Sequence, residues 1–160
     1  MDDDNMVPGI TSLSIGDIDF SVDLVSDKLK SLKPNKAVGP DGLHPCILQK
    51  CWDVIAFPLS IIFSKCFSYG CVPPDWKIAN VIPIFKKGDH SSTSNYRPVS
   101  LTSVVCRVME SIIKDSVLDH LLSNSLLNLT QFGFLPKRSC VSNLLQFLDE
   151  VTQDIDSKQH

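Results

Sequence analysis

PIFKKGDHSSTSNYRPVSLT, residues 83–102, is the stretch on which the reading of this chain turns. It continues the run Ala79-Asn80-Val81-Ile82, so that an apolar, β-favouring segment reaches Phe85 and stops at Lys86-Lys87-Gly88-Asp89. That is the pattern of a strand running into a turn. A polar loop, His90 to Ser94, then leads to Asn95-Tyr96-Arg97-Pro98-Val99-Ser100-Leu101, whose tyrosine, valine and leucine suit a returning strand. If the two runs pair antiparallel, Lys86 and Arg97 flank one loop and can converge. Two cations on a hairpin tip suit a polyanion such as a triphosphate, because arginine offers a planar fork and lysine a mobile point charge. The alternative is a solvated hairpin whose lysines only guard a sheet edge.

Around the hairpin the pattern is helical. Val22, Val25, Leu29 and Leu32 give one apolar stripe between Phe20 and Leu32, with Ser21 or Asp19 available as N-cap and Pro34 as stop. Gly39-Pro40-Asp41-Gly42 is a tight turn, and Asp41 is read as structural rather than as a ligand. Leu43 to Tyr69 reads as two packed helices, with Pro58 kinking the segment or starting the second of them, and Gly70 as the stop. Val72 to Trp76 reads as an extended connection into the hairpin. Ser103 to Leu122 places Val104, Val105, Val108, Met109 and Ile112 on one face and Arg107, Glu110, Lys114, Asp115 and Asp119 on a solvated one. Residues 131–139, QFGFLPKRS, form an aromatic and basic loop before a last helix from Ser139 to about Ile155. Aromatic rings beside cations can stack on bases and hold phosphates, although phenylalanines flanking a glycine also make packed turns.

A chain of 160 residues can build one real core, and 43% hydrophobic with 21% charged residues is ordinary globular composition. The start, Met1 to Met6, is acidic and is followed by no signal-like apolar region, while Val54 to Phe63 is too short to span a bilayer. The expectation is an intracellular chain without a membrane segment, its residues 1–18 a flexible acidic lead-in. The net charge of −3 hides an asymmetry: Lys77 to Arg138 carries eight Lys or Arg against four acids, and the first 75 residues six Lys against ten Asp. The later half can therefore meet nucleotide or nucleic-acid phosphates. Six cysteines form no CxxC pair and four histidines no metal-binding spacing, so reduced thiols are expected and neither zinc nor any other metal is assigned.

Four stretches then stand in one order: KAVGPDGLHP from Lys36, WKIANVIPIFKKGD from Trp76, NYRPVSLTS from Asn95 and QFGFLPKRS from Gln131. Together they resemble the amino-terminal, fingers part of a non-LTR retrotransposon (LINE-type) reverse transcriptase, an RNA-directed DNA polymerase. The resemblance covers Phe20 onward and implies an α+β fold, mostly helical with a small antiparallel hairpin, as a partial right-hand polymerase domain over residues 19–160. It also implies roles. Arg97 of the YRP element and Lys86 at the end of the preceding strand would lie against an incoming deoxynucleoside triphosphate, with Lys87 a less certain neighbour. The GPDG turn would lie near the template. Gln131, Phe132, Gly133, Phe134, Lys137 and Arg138 would lie along the template strand. Leu135 stands where the family commonly has an arginine, which leaves Arg138 as the basic contact there.

The same resemblance implies Mg²⁺ in the complete enzyme, held by carboxylates on an aspartate strand and on a later tyrosine-x-Asp-Asp hairpin. Neither motif occurs before His160, and Asp149, Asp154 and Asp156 fall on a helix end. The expectation is therefore a fragment without palm or thumb, with no catalytic or metal-binding residue of its own and no polymerase activity alone. Its implied partners are an RNA or DNA template-primer and a deoxynucleoside triphosphate, with no specific protein partner. The alternative is an inactive transposon-derived fragment with at most weak nucleic-acid binding.

Overall fold

A computed structural model of the chain describes residues 15–157 apart from Leu129, Thr130, Phe134, Pro136 and Lys137 and the side chain of Asp154. Five helices and one hairpin make up the described residues: α1 Val22–Lys30, α2 Pro45–Lys50, α3 Trp52–Ser68, β1 Asn80–Phe85, β2 Tyr96–Leu101, α4 Val104–Ser123 and α5 Cys140–Ser157. The expected α+β class, mostly helical with a small antiparallel hairpin, is what the chain adopts. It divides into two compact units between Leu118 and Asp119.

In the first unit the helices share one core. Phe20, Val25 and Leu29 at α1, Leu48 of α2, Ala56 and Phe63 of α3, and Val104, Val105, Val108, Met109 and Ile112 of α4 are all buried together. Each large apolar side chain taken from water there contributes about 1.5–3 kcal/mol. Phe63, fully buried, meets the Phe20 ring edge-on at 6.1 Å and the Trp76 ring at 6.0 Å. Ser21 occupies the N-cap position of α1, but its hydroxyl turns back to Asp19 rather than onto the helix.

Two expectations for this unit need correction. The break between the second and third helices falls at Cys51, not at Pro58, which sits inside α3. Proline lacks the N–H that would serve the carbonyl of Val54, and Val54 stands on the exposed side, where water can serve that group. The segment before the hairpin is not extended throughout: Pro74–Lys77 makes a 3₁₀ turn with proline at its start. That turn brings Trp76 onto Phe63 and so ties the root of β1 to the helical core.

The Gly39–Gly42 turn forms as read, with the Gly42 N–H donating to the Gly39 carbonyl at 3.2 Å and Gly42 at φ +67°. The Asp41 carboxylate accepts from the Leu43 N–H at 3.1 Å, a structural task, and His44 caps α2 by accepting from the Cys46 N–H at 3.2 Å. Gly39 itself is buried against the backbone of Thr102 and Ser103. The turn thus braces the root of β2 as Trp76 braces that of β1.

The second unit holds the end of α4, the following loop and α5. Ser139 and Ser142 cap α5 reciprocally: the Ser142 N–H donates to Ser139 Oγ at 3.1 Å and the Ser139 N–H to Ser142 Oγ at 2.9 Å. Val141, Leu144, Leu145, Leu148, Val151 and Ile155 have the expected helical spacing, yet all are exposed.

Candidate nucleotide and nucleic-acid interface

The register of the hairpin follows from two prolines. Pro83 stands opposite Pro98, and neither can donate a ladder hydrogen bond. Such a pair can only occupy a non-hydrogen-bonded site of an antiparallel ladder. Alternation then makes Ile84–Arg97 and Lys86–Asn95 the bonded pairs, and the Lys86 N–H does donate to the Asn95 carbonyl at 2.8 Å. Ile84, Lys86, Asn95 and Arg97 therefore belong to one face, on which Lys86 and Arg97 are diagonal neighbours within mutual reach of one ligand. Val81, Pro83, Tyr96 and Pro98 belong to the other face and line an apolar groove of about 490 Å³ with Thr93.

The loop between the strands is built from its own polar groups. The Asp89 carboxylate accepts from the Ser91 N–H at 2.9 Å and from the Ser91 hydroxyl at 2.7 Å, and these bonds hold its pKa below the ordinary value. Asn95 donates through Nδ2 to the Asp89 carbonyl at 2.8 Å, and the Tyr96 hydroxyl donates to the His90 carbonyl at 3.0 Å. The His90 ring stacks on Phe85 at 3.7 Å. Gly88 adopts φ +94° beneath the Asn95 amide, which leaves no space there for a Cβ. With Asp89 occupied by Ser91, the exposed Lys86, Lys87 and Arg97 form no ion pair among the described residues. A fixed loop flanked by three uncompensated cations can receive an anion without first breaking a salt bridge.

The second expected interface is loop 131–138. Gln131 Nε2 donates to the Gly133 carbonyl at 3.0 Å, and the Arg138 guanidinium lies 4.7 Å from the centre of the Phe132 ring. That cation–π contact occupies one face of the half-buried Phe132 ring. Leu135 and Arg138 line a cavity of about 220 Å³ with Leu121, Leu122, Leu127 and neighbouring polar groups. Phe134 and Lys137 lie outside the described residues. Acids of α5 are engaged locally, Glu150 by Gln146 and Asp149 by Gln153. Among the described residues no group of three or more His, Cys, Asp or Glu stands close enough together to hold a metal ion, and no helix is long and apolar enough to cross a membrane.

With this geometry in place, the chain can be set beside known proteins. The chain is 32% identical over 126 residues to the putative 115 kDa protein in type-1 retrotransposable element R1DM of Drosophila melanogaster, covering 78% of the chain and 12% of that protein. It is 30% identical over 118 residues to the Retrovirus-related Pol polyprotein from type-1 retrotransposable element R1 of Bradysia coprophila, covering 72% and 12%. The chain is a relative of non-LTR retrotransposon RNA-directed DNA polymerases. The probable RNA-directed DNA polymerase from transposon BS of Drosophila melanogaster extends the match to 140 residues at 26% identity, 87% of the chain and 16% of that protein. The chain thus spans only 12–16% of the length of these relatives. No family model matches it.

One group of side chains is not evident from the sequence pattern. Lys28, Lys33, Lys36, Arg107 and Lys114 surround a cavity of about 340 Å³ in the first unit. The solvated face assigned to α4 is in part the wall of this cavity. Its residues lie on three separate segments, so no spacing rule along the chain could reveal it.

Proposed function

We propose that this chain is a fingers segment of a non-LTR retrotransposon reverse transcriptase, and that its hairpin holds the triphosphate of an incoming deoxynucleotide through Lys86 and Arg97. The observation that carries this reading is the pairing of Ile84 with Arg97 and of Lys86 with Asn95, which sets the two cations diagonally on one face without acidic partners. Arg97 would bind phosphate oxygens through its fork, and Lys86 would supply a mobile charge beside it. Such contacts place and neutralise the triphosphate without breaking any bond themselves.

Gln131, Phe132, Gly133 and Arg138, with Phe134 and Lys137, are assigned to the template strand. Phe132 would stack on a base while Arg138, beside its ring, holds the adjacent phosphate. Mg²⁺ supports nucleotidyl transfer in polymerases of this type, but the described carboxylates do not assemble into a site for it. No metal-dependent step is assigned to these residues, and the metal-holding carboxylates would come from sequence outside them.

The test is made in a complete polymerase carrying this segment. Lys86→Ala or Arg97→Ala should raise the KM for deoxynucleotides about tenfold, the loss of one charge-assisted hydrogen bond of roughly 1.5 kcal/mol. Template-primer affinity should stay within about twofold, below 0.5 kcal/mol. An unchanged nucleotide dependence rejects the assignment.

A further inference from the structure

The cavity of about 340 Å³ between the end of α1, the 31–36 segment and α4 has a charge balance unlike the rest of the chain. Five cations line it against one carboxylate, that of Asp115. Asp115 is already committed. It pairs with Lys28 and, at 3.1 Å, with Lys114, and these lysines hold its carboxyl below the ordinary range. Lys33, Lys36 and Arg107 are left without an acidic partner among the described residues.

The ordinary explanation for cations at the end of a helix is that they serve its unpaired carbonyls. Here that task is done by another residue. Gln49 Nε2 donates at 2.9 Å to both the Lys30 and the Leu32 carbonyls, and the Ser31 hydroxyl donates to that of Lys28 at 2.8 Å. Arg107 is held in place by one bond, from Nη2 to the Ala37 carbonyl at 3.3 Å. Its Nε–H is shut off from solvent with no hydrogen-bond partner. A buried donor left unpaired is unfavourable, so a guanidinium that turned toward an anion would gain a bond for Nε.

We propose that this pocket is a phosphate-group site. Arg107, carried by α4, would turn its guanidinium to a phosphate oxygen, exchanging its single bond to the Ala37 carbonyl, while Lys33 and Lys36 approach from the exposed rim. The group can come from the backbone of a nucleic-acid strand or from a free polyphosphate, and the experiment separates the two. The proposal is independent of the triphosphate role given to the hairpin, since it uses none of the same residues.

Binding of a short fluorescein-labelled RNA to the whole chain is measured by anisotropy across a salt series. Lys33→Glu/Lys36→Glu should weaken it by at least about tenfold and lower the slope of log affinity against log salt by about 0.7 for each phosphate that is no longer neutralised. Both side chains are exposed, so folding should survive, as circular dichroism will show. Lys50→Glu/Lys65→Glu makes the same change of net charge on exposed positions of α2 and α3 and should leave affinity nearly unaltered. In parallel, the ¹⁵N–¹H resonance of Arg107 Nε is followed while RNA, or inorganic pyrophosphate, is added. Movement with RNA, together with weakening confined to the Lys33/Lys36 variant, supports a strand as the ligand. Movement with pyrophosphate alone supports the site with a free polyphosphate as its source. Equal weakening in the two charge-reversed variants, or a resonance that neither anion moves, overturns the proposal. Lys86→Ala/Arg97→Ala, measured beside them, shows separately whether the hairpin contributes to binding.

Discussion

A methyl group on Gly39 would stand 2.5 Å from the carbonyl oxygen of Thr102 and 2.7 Å from the Ser103 nitrogen. Both are backbone atoms, so nothing flexible can move aside. Gly39→Ala should therefore destabilise the first unit by about 1–3 kcal/mol, the usual cost of overpacking. Gly16→Ala, with open space around it, should change stability by less than about 0.5 kcal/mol. Urea unfolding of the two variants measures the contrast, and equal midpoints would show that the turn does not brace β2. The turn was legible from Gly-Pro-Asp-Gly alone, because proline and glycine dictate local dihedral angles. The reason Gly39 must be small was not, since Thr102 is brought to it only by folding. Arg107 is a similar case. The 3.6-residue period assigns it correctly to the polar side of α4, but cannot show that its Nε is enclosed.

At the scale of elements, the hairpin was read almost to the residue, as 79–85 and 95–101 against the observed Asn80–Phe85 and Tyr96–Leu101. β-favouring apolar residues and turn residues are local signals, and they are enough here. The pairing of Pro83 with Pro98 could not be read from either strand by itself, yet it decides which side chains share a face. Pro58 allows two readings, a kink or the start of a second helix, and only the second is excluded, because the proline lies inside α3. The helix continues because packing of Ala56, Ser60 and Phe63 holds both sides of it, and tertiary burial outweighs one missing hydrogen bond. Pro58→Ala should restore the bond to the Val54 carbonyl and raise stability by about 1–2 kcal/mol, within the range known for proline in helix interiors. Thermal unfolding measures it. A lower midpoint would mean that the proline is needed to set the helix geometry.

At the scale of the whole molecule, the first unit has a closed core, and both units have open apolar faces. Cys106 reports on the core. It is buried beside Glu110, and burial pushes its thiol up to about 11 from the ordinary 9.0. Because the thiolate is the reactive form, native Cys106 should alkylate on the order of a hundredfold more slowly than an ordinary thiol at mildly alkaline pH. Cys51, Cys71 and Cys140 are exposed and should label first. Mass spectrometry of an iodoacetamide time course distinguishes them, and labelling of Cys106 at the rate of the others would contradict a closed core around α4. The open faces belong to β1, where Val81 and Ile84 are 61% and 52% exposed, and to α5, where every expected core position faces outward. Apolar faces of this kind are the surfaces on which further packing would be expected.

By itself the sequence determined the elements, their order and the class of protein to which the chain is related. These depend on periodicity, turn residues and ordered motifs, all carried by neighbours along the chain. Tertiary structure alone decided which of the apolar residues became core, with one face each of α1, α3 and the first half of α4 buried and α5 left exposed. It also decided which charges stand together, because Lys28, Lys33, Lys36, Arg107 and Lys114 meet around one cavity only when α1 and α4 have been brought to its two sides. Burial and electrostatic coupling act through space, and separation along the chain carries no record of either.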